Sequence, residues 1–336
     1  MTKIKDVIRA LEQVAPPSYQ ESYDNARLIT GDKEAEVTGV LTCLDSTEAI
    51  VEEAIARSCN LIIAHHPIVF KGLKRFTGRN YVERTIIKAL KNDIAIYAIH
   101  TNLDNVYHQG VNTRFAERLA LKNTQILAPK AKNVQLSFTV YQMDLSKVME
   151  IIEPLSTNLI TNIPTGNHNL IKIECSISNA WQSKIAAGLA PFLQSAITSF
   201  PVLEKNPQIG SGMIGELAEP MATQDFLAFL KQQMQTDCVK HTDLIHTQIK
   251  KVALCGGAGG FLLQKAIQKG ADIFVTADYK YHEFFDADGQ IIIADIGHFE
   301  SEQFTIPLLK EIISNKFSNF AVYETAHRTN PVHYFV

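Results

Sequence analysis

The sequence predicts an α/β protein with a helix-covered, largely parallel sheet core of two halves, interrupted by an inserted ferredoxin-like (α+β) module. Two observations support this fold class. Short apolar runs alternate with amphipathic stretches in both flanks of the chain, which is typical of parallel βαβ units. That alternation stops near Pro129 and resumes after Asn206. We therefore expect a first core half over 1–129, the module over 130–206, and a second core half over 207–336.

The first half contains apolar segments of strand length separated by helical segments. Pro16 and Pro17 end the first helix, because proline interrupts helical hydrogen bonding. A polar stretch rich in turn formers, Ser22–Asp32, is predicted to be a loop. Asp45 or Ser46 is expected to cap the second helix. The predicted helices are Ile4–Val14, one ending at Ser58, Tyr81–Asn92 and Gly110–Leu121, and the predicted strands are Val37–Leu44, one from Leu61, and Ile94–Ile99.

The middle of the chain follows a different order, strand–helix–strand–strand–helix–strand, which is ferredoxin-like. Its segments are Gln135–Tyr141, Leu145–Ile152, Leu170–Ser176, Trp181–Leu193 and a closing strand at Ala196–Leu203. The glycine-rich stretch Ile209–Leu217 is predicted to be a connector. The second half then has strands at Val252–Cys255, Ala271–Ala277 and Gln290–Ile296, with a last helix ending near Lys316.

Composition narrows the class of protein. The chain has 336 residues, 46% of them hydrophobic, and a net charge of −3. This charge gives no electrostatic reason to expect a nucleic-acid or membrane partner, although Lys71, Lys74, Arg75 and Arg79 form a local basic patch. The five cysteines are scattered without a C-x-x-C pair, which argues against a disulfide framework and a thiolate zinc site. With no signal peptide or membrane span, we expect a cytoplasmic protein.

The most informative stretch is Asn60–Pro67, N-L-I-I-A-H-H-P. Its apolar run predicts a strand buried on both faces, and Pro67 ends that strand. His65 and His66 then lie at the carboxyl end of a central strand, where open α/β sheets bind ligands. Adjacent strand residues point to opposite sides, so either two neighbouring metal ions or a curling strand end would use both imidazoles. The alternative is an ordinary polar pair that opens a loop.

Two further strand ends carry side chains that bind metals. Asp104 follows the Ile94–Ile99 strand, and His298 and Glu302 follow the Gln290–Ile296 strand. A spacing of four residues places His298 and Glu302 on one helix face. Imidazole and carboxylate ligands suit zinc, iron, manganese or cobalt. Five ligands exceed the need of one tetrahedral ion, and they suit two divalent ions that share Glu302 and keep positions open for water.

These motifs resemble the family of Nif-three-like proteins, also called GTP cyclohydrolase 1 type 2 homologues. The resemblance covers about three quarters of the chain, through S-Y-D-N-A-R-L-I-T-G-D, I-I-A-H-H-P, H-T-N-L-D, V-A-L-C-G-G-A-G-G, A-D-Y-K-Y-H and G-H-F-E-S-E. It implies a dinuclear centre of zinc, iron or manganese bound by His65, His66, Asp104, His298 and Glu302, with the histidines not yet assigned to either ion. It also implies a CutA/PII-like inserted module and a ring-shaped homo-oligomer, a hexamer.

The sequence departs from the family pattern at Arg27, where the usual D-N-V-G-L has a small residue, and we expect Arg27 to affect access to the cleft. Other side chains have two interpretations each. His100 either orients a ligand or is a satisfied histidine. Gly256–Gly260 either cradles a phosphate or allows close strand–helix packing. Asp24, Asp278, Lys280, Tyr281 and His282 either line the cleft or serve in turns, and His327 and His333 could reach the site.

The leading functional hypothesis is a dinuclear metal-dependent hydrolase. Two Lewis-acid ions would lower the pKa of a shared water, which would attack a nucleotide-like substrate. The family name implies GTP as that substrate, although the sequence identifies no purine pocket. The alternative is a non-catalytic metal-binding or regulatory scaffold, in which the ring and the inserted module are the functional parts. The charge balance does not favour a nucleic-acid-binding function.

Overall fold

The computed structural model describes residues 1–131, 133–156, 160–178, 181–201 and 205–335. Two compact units are present. The core unit comprises Met1–Ala128 and Gln208–Val336, and the inserted unit comprises Pro129–Pro207. Among the described residues, no helix is both long and apolar enough to cross a bilayer.

The first part of the chain alternates helices and short strands. In order it contains α1 (Ile4–Val14), β1 (Arg27–Thr30), β2 (Gly39–Cys43), α2 (Glu48–Ala56), β3 (Leu61–Ala64), α3 (Tyr81–Lys91), β4 (Ala95–Ala98), α4 (Thr101–Asp104), α5 (Val111–Arg118) and β5 (Lys122–Ala131). Strand β1 lies within the predicted loop Ser22–Asp32, so that prediction was wrong for four residues. Thr47, not Asp45 or Ser46, caps α2 by accepting the backbone N–H of Ile50.

The inserted unit is built on one antiparallel sheet. Its elements are β6 (Asn133–Tyr141), α6 (Leu145–Ile152), β7 (Thr161–Pro164), β8 (Leu170–Ser178), α7 (Gln182–Leu189) and β9 (Thr198–Pro201). The strand order is β7-β8-β6-β9. Phe138, Val148 and Ile173 belong to its buried core. The last two residues of the predicted strand Ala196–Leu203 lie outside the described residues, and the ferredoxin-like assignment stays a prediction.

The last part of the chain completes the core unit. It contains β10 (Lys205–Ala222), α8 (Thr223–Met234), β11 (Lys240–His241), β12 (Gln248–Ala258), α9 (Leu263–Gln268), β13 (Ile273–Ala277), β14 (Ile292–Asp295), α10 (His298–Glu302), α11 (Thr305–Ser314) and β15 (Ala321–Glu324). The predicted connector Ile209–Leu217 lies inside β10, because its backbone pairs with β12 in the register Met213↔Leu254. Glycines signalled a loop there, yet Gly215 permits close approach to Thr124.

The core unit contains two mixed sheets, which give the chain a mixed α/β fold. The first has the order β1-β4-β3-β2-β15, and β15, β2, β3 and β4 run parallel. The second has the order β11-β14-β13-β12-β10-β5, with β12, β13 and β14 parallel. The central strands are buried on both faces, which explains their continuous apolar sequences.

Alternate side chains of β3 pack against helices on opposite faces of the first sheet. Leu61 and Ile63 pack in the cluster that contains Leu11 of α1 and Leu309 of α11. Ile62 instead packs on the opposite face, in the cluster formed with α2 and α3. The strand is therefore fixed on both sides, and the two residues that follow it are held at a rigid edge of the sheet.

Candidate metal centre

The first sheet supplies three side chains to a common cluster. Beyond the end of β3, the backbone N–H groups of His65 and His66 donate to the carbonyl groups of Cys43 and Leu44. The backbone of the two histidines therefore stays hydrogen-bonded to the end of β2 and the residue after it, and both imidazoles lie just beyond the end of β3. Asp104 is the last residue of the short helix α4, which follows β4.

The second sheet supplies the other two side chains. Gly297 has φ 92°, a left-handed conformation that favours glycine, and it turns the chain from β14 into α10. His298 and Glu302 then lie four residues apart on α10 and face the same way. All five side chains predicted as metal ligands therefore come together at one place, contributed by the carboxyl ends of strands in two different sheets.

Glu302 is the centre of this cluster. Its Oε2 atom lies 2.9 Å from His66 Nε2, 3.1 Å from His298 Nε2 and 3.9 Å from His65 Nε2. Two groups of potential ligand atoms share it, each with its atoms within 4.8 Å of one another. We call His65, Asp104 and Glu302 the inner trio, and His66, His298 and Glu302 the outer trio.

The inner trio contains an unsatisfied pair of buried polar atoms. His65 Nε2 and Asp104 Oδ1 are 3.5 Å apart and neither has a hydrogen-bond partner. Leaving such groups unpaired away from water costs about 1–3 kcal/mol each. A cation between them would satisfy both, because a neutral imidazole nitrogen and a carboxylate oxygen are common metal ligands. These residues therefore fit a metal ion.

The rear nitrogen of every histidine in the cluster is held by an acceptor. In each case the Nδ1–H group donates, so the Nε2 atom is left to face the centre. This is the arrangement in which an outer hydrogen bond fixes the orientation and tautomer of a metal-binding imidazole. The pairs are His65 with the carbonyl of Ile99, His66 with Asp45, His100 with Asp24 and His298 with Asp278, at 2.7–2.8 Å.

Charge interactions shift the pKa values of the outer trio. The Glu302 charge raises the pKa of His298 to about 11, despite the opposing effect of burial. Burial lowers the pKa of His66, but hydrogen bonds to Asp45 and Glu302 raise it to about 9. Burial raises the pKa of Glu302, yet the charge and hydrogen bond of His298 hold it well below its ordinary value. An incoming metal ion must therefore displace protons from the imidazoles.

The pKa of Asp104, the other carboxyl group of the inner trio, shifts in the opposite direction to that of Glu302. Burial and the nearby charge of Glu302 raise the pKa of Asp104 to about 7. By contrast, burial raises the pKa of Asp24, but hydrogen bonds from His100 and Thr101 lower it to about 2. Asp24 thus stays anionic and orients His100, while Asp104 lacks a strong donor of its own.

Glycines at the carboxyl end of β12 pack against Glu302. Gly257 has φ 64°, and a Cβ atom there would lie 2.4 Å from Glu302 Oε1. Only glycine leaves room for the carboxylate in this position. The backbone N–H groups of Gly256, Gly257 and Gly259 already donate to side chains of the protein. These amides therefore support close packing and are not available to cradle a phosphate.

The cluster opens into a cavity of about 700 Å³. His100 lines this cavity while its Nδ1–H group donates to Asp24. Tyr23, Phe70 and Phe261 also line it, and they are 72%, 54% and 72% exposed. Large exposed aromatic side chains at a cavity are typical of ligand binding. The sequence alone does not reveal them, because isolated aromatic residues in loops carry no periodic signal.

The other residues singled out in the sequence fall into two groups, those that support the cluster and those that lie away from the cavity. Asp278 holds His298, and Asp24 is buried behind His100, so both support the cluster. Lys280 pairs with Glu283, and Tyr281 lines a different pocket. His327 and His333 are exposed and are not among the described lining residues of the cavity. From the same C-terminal segment, Thr329 donates to Asp45 and Asn330 to Glu300. Arg27 is exposed, has φ 113° and is likewise absent from that lining.

The fold and the cluster define a class of protein, an α/β protein with a buried imidazole–carboxylate centre between two mixed sheets. The family model Duf34/NIF3 (NGG1p interacting factor 3) matches residues 2–331. The chain therefore belongs to this family, and the resemblance found in the sequence motifs is confirmed.

Individual relatives agree over the whole chain. A Staphylococcus epidermidis protein named GTP cyclohydrolase 1 type 2 homolog is 31% identical, with 99% of this chain and 100% of that protein covered. A Staphylococcus aureus crystal structure has a TM-score of 0.77 and 30% identity, with 99% of each chain covered. The structure of a Bacillus cereus protein related to NIF3 has a TM-score of 0.74 and 29% identity, with the same coverage.

Proposed function

We propose that the protein is a dinuclear metal-dependent hydrolase that acts on a nucleotide-like substrate. The single observation that carries this proposal is the unsatisfied inner pair, His65 Nε2 and Asp104 Oδ1, buried beside the Glu302 carboxylate. A cation bound between these two facing atoms would satisfy both of them. The name GTP cyclohydrolase 1 type 2 homolog, given to the relatives, supports the choice of reaction and substrate.

In this proposal the inner trio holds one divalent ion and the outer trio holds the second, with Glu302 common to both. Imidazole and carboxylate ligands suit zinc, iron and manganese. When bound, two such ions would supply an activated water molecule and polarise the substrate.

The protein's own groups have separate tasks in this proposal. Asp45, Asp278 and the Ile99 carbonyl keep three imidazoles oriented toward the centre. Glu302 stays anionic because its pKa is low, so it can contribute an oxygen to each position. The exposed rings of Tyr23 and Phe261 offer flat apolar faces to a heterocyclic ring.

The test combines metal content and turnover in one protein preparation. Protein stripped of metal and reloaded with zinc, manganese or iron is expected to hydrolyse a nucleotide-like substrate, with GTP tried first. Asp104→Asn should lose both metal and activity, because its amide is a poor ligand and cannot replace the carboxylate. A contaminating hydrolase would not respond to this substitution, so the variant serves as the essential control.

A protein that binds two ions but shows no metal-dependent turnover on a broad substrate panel would overturn the enzyme proposal. It would favour the non-catalytic scaffold instead.

We further propose that the protein forms a homo-oligomer, a hexamer, by resemblance to the family. Light scattering of the full-length protein would measure that state directly, and a monomer would contradict it.

A further inference from the structure

A basic segment follows the histidine pair in the sequence and lies between two residues that line the cavity. Phe70 and Tyr81 both line the cavity, and the chain between them carries Lys71, Lys74 and Arg75, followed by Arg79. We call residues 71–79 the basic arm. Nothing in the function proposed above uses it.

The basic arm is anchored at both ends. Asn25 donates a side-chain hydrogen bond to the carbonyl of Val69, immediately before Phe70. At the other end, the Glu83 carboxylate accepts the backbone N–H groups of Thr77 and Arg79. Between these ends Leu73 packs against the apolar cluster that contains Ile62 and Ile86. The segment is therefore held in place beside the metal centre.

An aromatic contact links the arm to that centre. The Phe70 ring meets the His100 ring edge-on, with 5.8 Å between the ring centroids. His100 in turn lies 5.3 Å from the rings of both His65 and His66. A ligand that reaches from the cluster past Phe70 would therefore arrive at the basic arm.

The four positive side chains of the arm are exposed, and none of them belongs to the ion pairs formed among the described residues. No acidic residue interrupts residues 71–79. Four like charges on nine residues repel one another, and a bound anion would relieve that repulsion. Some surface cations nearby are paired, as in Arg84 with Glu48 and Lys88 with Glu52.

The cavity interior has the opposite charge. Its described lining contains seven carboxylate side chains and a single lysine, Lys240. The Lys240 ammonium lies 2.7 Å from the buried carboxylate of Asp295, so its charge is already compensated. The basic arm therefore offers lysine and arginine side chains outside the ion pairs formed among the described residues, in a segment that begins and ends beside cavity-lining residues, Phe70 and Tyr81.

We propose that the basic arm is the binding site for the phosphate group of the substrate, held at the cavity mouth while the ring of the substrate enters. This inference rests on the proposed function and deepens it. Lysine and arginine form strong charge-assisted hydrogen bonds with phosphate oxygens. The ligand is a phosphorylated small molecule with a flat ring, because exposed aromatic side chains line the cavity and one of them, Phe70, directly precedes the arm and packs on His100.

The test compares two ligands that differ only in the phosphate, guanosine and guanosine 5′-monophosphate, by calorimetry on full-length protein. The variant is Lys74→Gln/Arg75→Gln. The matched control, Arg9→Gln/Lys33→Gln, removes the same charge from exposed positions on another part of the core unit. We expect the monophosphate to bind wild type about fivefold to tenfold more tightly than guanosine, as for two exposed charge pairs.

That advantage should disappear in the arm variant, persist in the control and shrink as salt is added. Equal affinity of wild type for both ligands, or no binding of the monophosphate at millimolar concentration, would overturn the proposal. So would a preference for the monophosphate that survives in the arm variant. An RNA oligonucleotide bound through these cations, with no monophosphate preference, would point to a macromolecular ligand and also overturn it.

Metal content measured on the same samples separates this proposal from the previous one. Loss of the monophosphate preference with two ions still bound in wild type and in both variants concerns the arm alone. Wild-type protein that takes up no metal contradicts the dinuclear centre, whereas the comparison of the two ligands can still be made in metal-free protein.

Discussion

The inner and outer trios share Glu302 but differ in how their other members are satisfied. His65 is fully buried, and its Nε2 atom has no hydrogen-bond partner. The His298 side chain is 39% exposed, and its Nε2 atom already lies 3.1 Å from Glu302. The inner trio therefore leaves two polar atoms that a cation would satisfy, whereas the outer trio can compensate its charges by an internal ion pair.

This difference has a consequence for metal affinity. A metal ion in the outer position must replace an existing imidazole–carboxylate contact, and water can compete for it. A metal ion in the inner position would give a partner to two buried polar atoms, His65 Nε2 and Asp104 Oδ1, that have none. We therefore expect the inner position to bind more tightly and the outer position to exchange with solvent and to face the substrate.

The largest expected effect comes from Glu302→Gln, which removes the carboxylate common to both trios. An amide cannot supply an anionic oxygen to each position, so both ions should be lost. The loss should exceed the ~10–100-fold typical of residues that only orient a ligand. His100→Ala is the comparison, and metal analysis of both purified variants measures the effect. Wild-type metal content in Glu302→Gln would show that Glu302 is not a ligand shared by two ions.

Separate removal of one histidine from each trio should sharpen the comparison. His65→Ala should abolish the tight inner position, while His298→Ala should leave one tightly bound ion per chain. Titration of metal-free protein with zinc, followed by calorimetry, distinguishes these outcomes by stoichiometry. If His298→Ala loses the tighter ion and His65→Ala the weaker one, the order of affinities is reversed and the burial argument is wrong.

The pH dependence should differ between the positions. The pKa of His66 is raised to about 9 and that of His298 to about 11, so outer metal binding must displace protons throughout the neutral range. Its affinity should rise with pH, by about tenfold per pH unit for each proton displaced. Asp104, with a pKa of about 7, makes inner binding pH-dependent only at and below neutrality. Zinc titrations from pH 6 to 9 measure both.

The same shifts predict the stability of metal-free protein. A His66 pKa raised from 6.5 to about 9 contributes stability that is complete below pH 6.5 and is lost as the pH rises through 9. Asp104, raised from 3.8 to about 7, acts in the same direction at lower pH. The gap in melting temperature between loaded and metal-free protein should therefore widen from pH 6.5 to 9. A constant gap would contradict the outer-trio account.

The smallest effect is expected from Thr329→Val. The Thr329 hydroxyl donates to Asp45 Oδ2 at 2.7 Å, and Asp45 Oδ1 accepts from His66 Nδ1. Removing the hydroxyl should weaken outer metal binding by about tenfold or less and leave the inner position unchanged. Thr329→Ser keeps the hydroxyl and is the control. An equal loss at both positions would indicate general destabilisation rather than a role in orienting His66.

Much of the core was predictable, because buried parallel strands have continuous apolar sequences. Strands β3, β4 and β13 were predicted this way. The five candidate ligands, which the structure brings together, were predicted because polar residues interrupt such runs abruptly. Strand β10 was missed because its glycines and prolines signal a loop, while its stability comes from pairing with β12. Strand β1 was missed because it is a short edge strand with little buried surface.

The supporting groups of the site were less predictable than its centre. Asp45 was interpreted as a helix cap, since local sequence could not show that Thr47 serves as the cap and leaves Asp45 free to hold His66. Thr329 lies nearly 300 residues from Asp45, and only the folded chain brings them together. Side chains that act through another residue carry no motif of their own, which is why the sequence indicated only the candidate ligands at the centre.

The most direct test of the dinuclear centre is anomalous diffraction from crystals of the full-length protein loaded with zinc or manganese, with data collected on both sides of the metal edge. Our account predicts two peaks per chain, one at His65 and Asp104 and one at His66 and His298, both within bonding distance of Glu302. A single peak, or peaks at sites away from Glu302, would contradict it.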